Sequence, residues 1–156
     1  MSVAEEAERE ATLKIVEAFM PLIAEKRWDE WIELWDDEGI LDFPYAPAGR
    51  RGTYAGKAEI LAYISALPGK IKIDAFKYFR VFPMLDPKVA VLEFAIDAHV
   101  PASGETYNQI GVIFFETRAG KLWRYREYWN PLVSMDAFGG RDAWVAGFGT
   151  PVDKEV

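Results

Sequence analysis

Toward the end of the chain the run WRYREYWNP, residues 123–131, sets one carboxylate among aromatic rings. In an extended strand side chains alternate between faces, which puts Trp123, Tyr125, Glu127 and Trp129 on one side and Arg124, Arg126 and Tyr128 on the other. A carboxyl group walled by indoles and a phenol is desolvated, and desolvation disfavours the charged form and raises the pKa. Such a group can give or take a proton at physiological pH, the chemistry of a general acid/base acting on a carbonyl, an imine or an acidic C–H bond. A slip of one residue gives the competing arrangement, with Glu127 facing outward beside an arginine.

The remaining composition leaves few other routes to chemistry. There are no cysteines and one histidine, His99, which removes thiolate nucleophiles, Cys-ligated zinc and multi-histidine catalysis. We expect no metal and no cofactor, and proton chemistry falls to Asp, Glu, Tyr and His99. The formal charge of -7 provides no basic stripe for nucleic acid. The acidic N-terminus MSVAEEAERE and the absence of an 18-residue apolar run argue against export and membrane insertion, so the expectation is a cytoplasmic protein.

Several side chains could complete a site. Tyr107 or Asn108 could orient a ligand carbonyl through a hydrogen bond, and the pattern does not choose between them. Trp28, Trp31, Phe43 and Tyr45 would form a wall opposite Trp123 and Trp129, and so much aromatic area suits a flat, apolar ligand. The Gly-rich stretch PYAPAGRRGTYAG reads as an entrance flap carrying Tyr54, with Arg50 and Arg51 placed to attract an acidic substrate. Asp42 falls on the strand face opposite Phe43, toward solvent or an arginine such as Arg50 or Arg51. His99 shares a face with Glu93 and Asp97 beside a turn, the pattern of a solvated or dimer-contact residue.

The elements that must position these groups follow from periodicity. Ser2 and Glu5 have the spacing of a capping box, and Leu13, Val16, Phe19, Met20 and Ile23 form the stripe of a first helix ending near Ala24. Trp28, Trp31 and Trp35 recur at helical spacing in RWDEWIELWDDEG, which predicts a second helix stopped by Gly39. A strand of about five residues follows, broken by Pro44 and Pro47. A third helix runs from Lys57 to Leu67. From Lys70 the period changes to two, with segments near 70–82, 87–99, 106–117 and 121–130 separated by the turns LDPK, PASGE and TRAGK. These form an antiparallel meander, and a short helical pattern through Phe138 closes at Gly139-Gly140. Helices first and strands after give an α+β fold of one domain, 1–156.

The run WDDEGILDFP, the helix entry GTYAGKAEI and the terminal YREYWNPLVSMDAFGG resemble the SnoaL-like polyketide cyclases and phenazine-biosynthesis A/B proteins of the nuclear transport factor 2-like superfamily. The resemblance implies a cone-shaped barrel, or cystatin-like α+β roll, in which a curved antiparallel sheet wraps three N-terminal helices around a deep apolar pocket. It covers about residues 8–140, which implies a core of that extent and a tail at 141–156, and it also implies a homodimer and a last-strand carboxylate as acid/base, a position held here by Glu127. Ketosteroid isomerases of the superfamily place their catalytic aspartate before a proline where this chain has Phe43-Pro44.

Together these readings point to a cofactor-free enzyme that isomerises, cyclises, dehydrates or condenses a hydrophobic carbonyl compound. Glu127 is its acid/base, Tyr107 or Asn108 its polarising donor, and Trp28, Trp31, Phe43, Tyr45, Tyr54, Trp123 and Trp129 its substrate wall. The alternative is a non-catalytic carrier that uses the same pocket to hold an apolar small molecule.

Overall fold

The computed structural model describes residues 1–148. Helix α1, Val3–Ala24, begins with the expected capping box: the Glu5 amide donates to Ser2 Oγ at 3.2 Å, and the Ser2 amide donates back to the Glu5 carboxylate at 2.6 Å. Its buried stripe is Thr12, Ile15, Val16, Phe19 and Met20. Helix α2 covers only Trp28–Glu33, and the chain from Trp35 to Asp42 is strand β1. The expected helix through Trp35 with a stop at Gly39 is thus corrected. Asp36, Asp37 and Glu38 would stack three carboxylates at the negative end of a helix dipole. Gly39 serves close packing instead, because a Cβ there would lie 2.7 Å from the Trp35 ring.

Strand β2, Thr53–Ala55, pairs antiparallel with β1 and leads into α3, Lys57–Ala66, which a 3-10 turn at Leu67–Gly69 terminates. Strands β3 (Lys72–Pro83), β4 (Val89–His99), β5 (Gln109–Arg118) and β6 (Lys121–Trp129) form the antiparallel meander. The six strands lie in the order β2-β1-β6-β5-β4-β3. The sheet is curved but open, with edges at β2 and β3 rather than a closed barrel, and β1 runs parallel to β6. Register shifts in β3, near Ala75 and Tyr78, are the kind of irregularity that bends a strand.

The helices pack on the concave face. Phe19 from α1, Trp31 from α2, Trp35 and Leu41 from β1 and Phe115 from β5 meet in a core where each is at most 2% exposed. Helix α4, Pro131–Ala137, starts at the Asn130 cap, whose side chain accepts from the Leu132 amide at 3.1 Å. Helix α5, Arg141–Gly147, occupies part of the expected tail, and it buries Trp144. The rest of that tail, 149–156, lies outside the described residues. No helix among the described residues is long and apolar enough to cross a membrane.

Candidate active site

Strand β6 is interior, bonded to β1 on one side and β5 on the other, so both neighbours fix which of its side chains point inward. Ile113 faces Glu127 and Gly111 faces Trp129 across the β5–β6 ladder. Tyr125, Glu127 and Trp129 line a cavity of about 100 Å³ under the helices. Most of its wall is apolar, supplied by residues such as Phe19, Trp31, Leu41, Phe43, Ile64, Phe94 and Ile113. Arg50 and Glu127 are the charged residues that line it. Two neighbouring clefts are larger, about 260 and 410 Å³, but their carboxylates, Glu59 and Asp74, stand exposed. The smaller cavity is the one in which proton chemistry can be tuned.

Glu127 is surrounded by protein, and burial pushes its pKa above the ordinary 4.5. The Tyr125 hydroxyl, 2.5 Å from Oε2, and the Arg50 charge pull in the opposite direction, and burial prevails. Tyr125 is itself held by ring contacts, stacked on Phe19 at 5.4 Å and edge-on to Phe115 at 5.6 Å. Further along the cavity the Trp129 indole donates to Ser134 Oγ at 2.9 Å, and the Tyr107 and Ser134 hydroxyls lie 3.0 Å apart. Ser134 enters from α4, so this small polar cluster ties the helix after β6 to the strand pair. Burial raises the Tyr107 pKa, keeping it a neutral phenol.

Arg50 leaves the loop after β1 and sits 8% exposed. Its guanidinium carbon lies 5.2 Å from the Phe43 ring, 5.2 Å from Trp129, 5.5 Å from Trp144 and 4.5 Å from Phe148. Among the described residues no group of three or more His, Cys, Asp or Glu side chains gathers where a metal could be held.

Comparison with known proteins places the chain in a family and a fold. A family model described as the SnoaL-like domain matches residues 16–125. The chain belongs to the SnoaL-like family. The uncharacterized protein YesE of Bacillus subtilis is 40% identical over 133 residues, 85% of this chain and 90% of YesE. A PhzA/B-like protein of Pseudomonas aeruginosa, PA3332, is 34% identical over 113 residues, 72% of this chain and 79% of its own. Among solved structures, a candidate isomerase from Bacillus subtilis superposes with a TM-score of 0.79 at 40% identity, covering 86% of this chain and 96% of that one. A candidate polyketide cyclase from Xanthomonas campestris pv. campestris gives a TM-score of 0.72 at 17% identity, covering 83% and 98%, a likeness of fold alone. The fold is the nuclear transport factor 2-like one.

Within this SnoaL-like domain the structure brings together Glu127, Tyr107, Trp31, Phe43 and Trp129. Five sequence expectations need correction. Asn108 is exposed, its side chain accepting from the Ala98 amide at 3.3 Å, because Tyr107 and Gln109 take the inward positions. Trp123 points outward: the β5–β6 register shifts between Glu116 and Thr117, Leu122 takes the buried place, and Trp123 lies 5.1 Å from the Arg118 guanidinium. Tyr45 is 56% exposed, because β1 ends at Asp42 and the chain turns at Pro44, leaving its ring against Tyr128 on the outer face. Trp28 lines the neighbouring 410 Å³ cleft because α2 turns Trp31 and Ile32 inward, and Tyr54, though buried, lines the 260 Å³ cleft beside Tyr63, whose ring lies 4.5 Å away.

Arg51 donates to Glu59 and to the Thr53 carbonyl, and Asp42 accepts from Thr53 at 2.8 Å and lies 3.8 Å from Arg124 rather than near Arg50. His99 bonds Asp74 at 2.7 Å, away from the cavity. The cavity residues that sequence reasoning missed are Tyr63, Gln109, Ser134, Trp144 and Phe148. Gln109 was legible as the inward neighbour of Tyr107. Trp144 and Phe148 follow a Gly-Gly pair that reads as the end of the domain.

Proposed function

We propose that the protein is a small cofactor-free enzyme that moves a proton on a hydrophobic carbonyl compound, with Glu127 as the general acid/base. The observation that supports this is the Glu127 carboxyl facing an apolar cavity with the Tyr125 hydroxyl 2.5 Å away. In its ionised form Glu127 takes a proton from the carbon next to a carbonyl; the C–H electron pair moves into the carbon framework and charge develops on the carbonyl oxygen. Tyr107 donates a hydrogen bond to that oxygen, and Glu127 returns the proton at another atom, so the net change is an isomerisation or the first step of a cyclisation. The apolar walls hold one conformer in line with the carboxylate, which lowers the barrier without further groups.

The cavity of about 100 Å³ is smaller than the roughly 150 Å³ that holds benzene, so it sets a single ring as the upper limit, taken up only if the walls yield. The test follows deuterium uptake at the α-carbon of phenylacetone and phenylpyruvate in heavy water by proton NMR. The wild-type protein should accelerate exchange over buffer, and Glu127→Gln should lose about 10²–10⁴-fold of that rate while still binding the probes by calorimetry. Equal exchange by both proteins would remove the catalytic role and leave the carrier reading.

A further inference from the structure

We propose that Arg50 is an anion anchor and that the molecule received by this cavity is a single-ring carboxylic acid, its carboxylate held by the guanidinium and its ring laid toward Glu127. The inference deepens the reading of Glu127 as acid/base, and it stands on a different residue. Arg50, 8% exposed, is the least exposed charged residue among the described residues. Its Nε and Nη1 donors have no hydrogen-bond partner among the described residues, and it forms no ion pair with Glu127, the carboxylate of the same cavity.

A buried guanidinium without a partner is costly, and a chain keeps one where something else compensates it. Ring faces supply part of that compensation: Phe43, Trp129, Trp144 and Phe148 surround the cation at 4.5–5.5 Å. Rings attract the charge but leave the N–H groups unsatisfied. Those donors form a planar fork that matches a carboxylate, two parallel bonds at a time.

The adjacent Arg51 provides an internal comparison. It leaves the same loop, yet its donors are taken by Glu59 and the Thr53 carbonyl, and its charge rests over Tyr54. Two neighbouring arginines thus differ in the way that a structural and a ligand-binding arginine differ. The Arg50 charge also reaches the far wall, where it draws the Glu127, Tyr63 and Tyr107 pKa values downward against the effect of burial. An anion bound at Arg50 would screen that field, so binding and proton affinity at Glu127 belong to one electrostatic unit.

Calorimetric titration with sodium benzoate and with benzamide, its neutral isostere, tests the assignment on wild-type, Arg50→Gln, Arg50→Lys and Glu127→Gln proteins. The wild type should bind benzoate about tenfold or more tighter than benzamide, the size of effect typical of a charge-assisted hydrogen bond. Arg50→Gln should erase the preference, and Glu127→Gln should keep it. If Arg50→Gln does not fold, Arg50→Lys carries the test: it retains a cation without the fork, so it should prefer benzoate less strongly than the wild type does. Equal wild-type affinities, no benzoate binding, an undiminished preference in Arg50→Lys, or a preference that survives Arg50→Gln would each overturn the assignment. Failure of the Glu127 role would show separately, as unchanged proton exchange in Glu127→Gln with the charge preference intact.

Discussion

At the residue scale the behaviour of Glu127 follows from opposed effects on one carboxyl. Burial raises its pKa, and the Tyr125 hydroxyl with the Arg50 charge lowers it. Tyr125→Phe removes the bond that favours the ionised form, so the Glu127 pKa should rise further, read by carboxyl-carbon NMR on glutamate-labelled protein with Glu127→Gln to assign the resonance. An unchanged pKa would mean that the 2.5 Å contact carries no weight in solution. The same shift has a consequence for stability. Because the folded-state pKa lies above the ordinary 4.5, the folded chain holds this proton through the interval in which the unfolded chain has released it. Wild-type stability relative to Glu127→Gln should therefore fall as pH climbs from about 4.5 through the folded pKa and level off above it, the reverse of a salt-bridged carboxylate. Denaturant unfolding of both proteins across that range gives the slope, and a rise in place of a fall would mean that Glu127 is ion-paired.

At the scale of elements, the irregularity in β6 decides which indole belongs to the cavity. Trp129→Ala should weaken benzoate binding, whereas Trp123→Ala, changed on the outer side of the bulge, should leave it unaltered; calorimetry distinguishes them, and equal losses would return Trp123 to the wall. Gly39→Ala should lower stability by about 1–3 kcal/mol, because the new methyl group would sit 2.7 Å from the Trp35 ring inside a packed strand. The inward triplet Tyr125, Glu127 and Trp129 was legible because it needs only a period of two and lies beyond the bulge. Trp123 was not, since one extra residue in a strand reverses every side chain before it and leaves no mark in the pattern of residue types. The capping box, the third helix and the four-strand meander were legible from local signals. The conversion of WDDEG from helix to strand depends on pairing with β6, more than 80 positions away, which no local pattern reports. Arg50 presented the same difficulty in another form: a glycine-rich loop with two arginines reads as surface, and only the packing of α5 against it encloses the charge.

At the scale of the whole molecule, the outer face of the sheet carries Tyr45 against Tyr128 at 5.2 Å and Arg126 over Phe114 at 5.5 Å, a semi-exposed aromatic and cationic patch opposite the cavity. We propose that two copies associate through this face; light scattering should give twice the chain mass, and a monomeric mass would remove the proposal. The strand order carries a consequence for how the protein is made. Strand β6 lies between β1 and β5, so the first and last strands among the described residues meet in the sheet's interior. While a ribosome is still adding the residues after β5, the nascent polypeptide holds a β3–β5 ladder with an unsatisfied border and a separate β1–β2 pair whose other border waits for β6, an arrangement prone to pairing with other chains. Glu127 arrives on the segment that seals that border, so the buried carboxyl takes its place only once β6 has been made and the enclosure that tunes it is assembled.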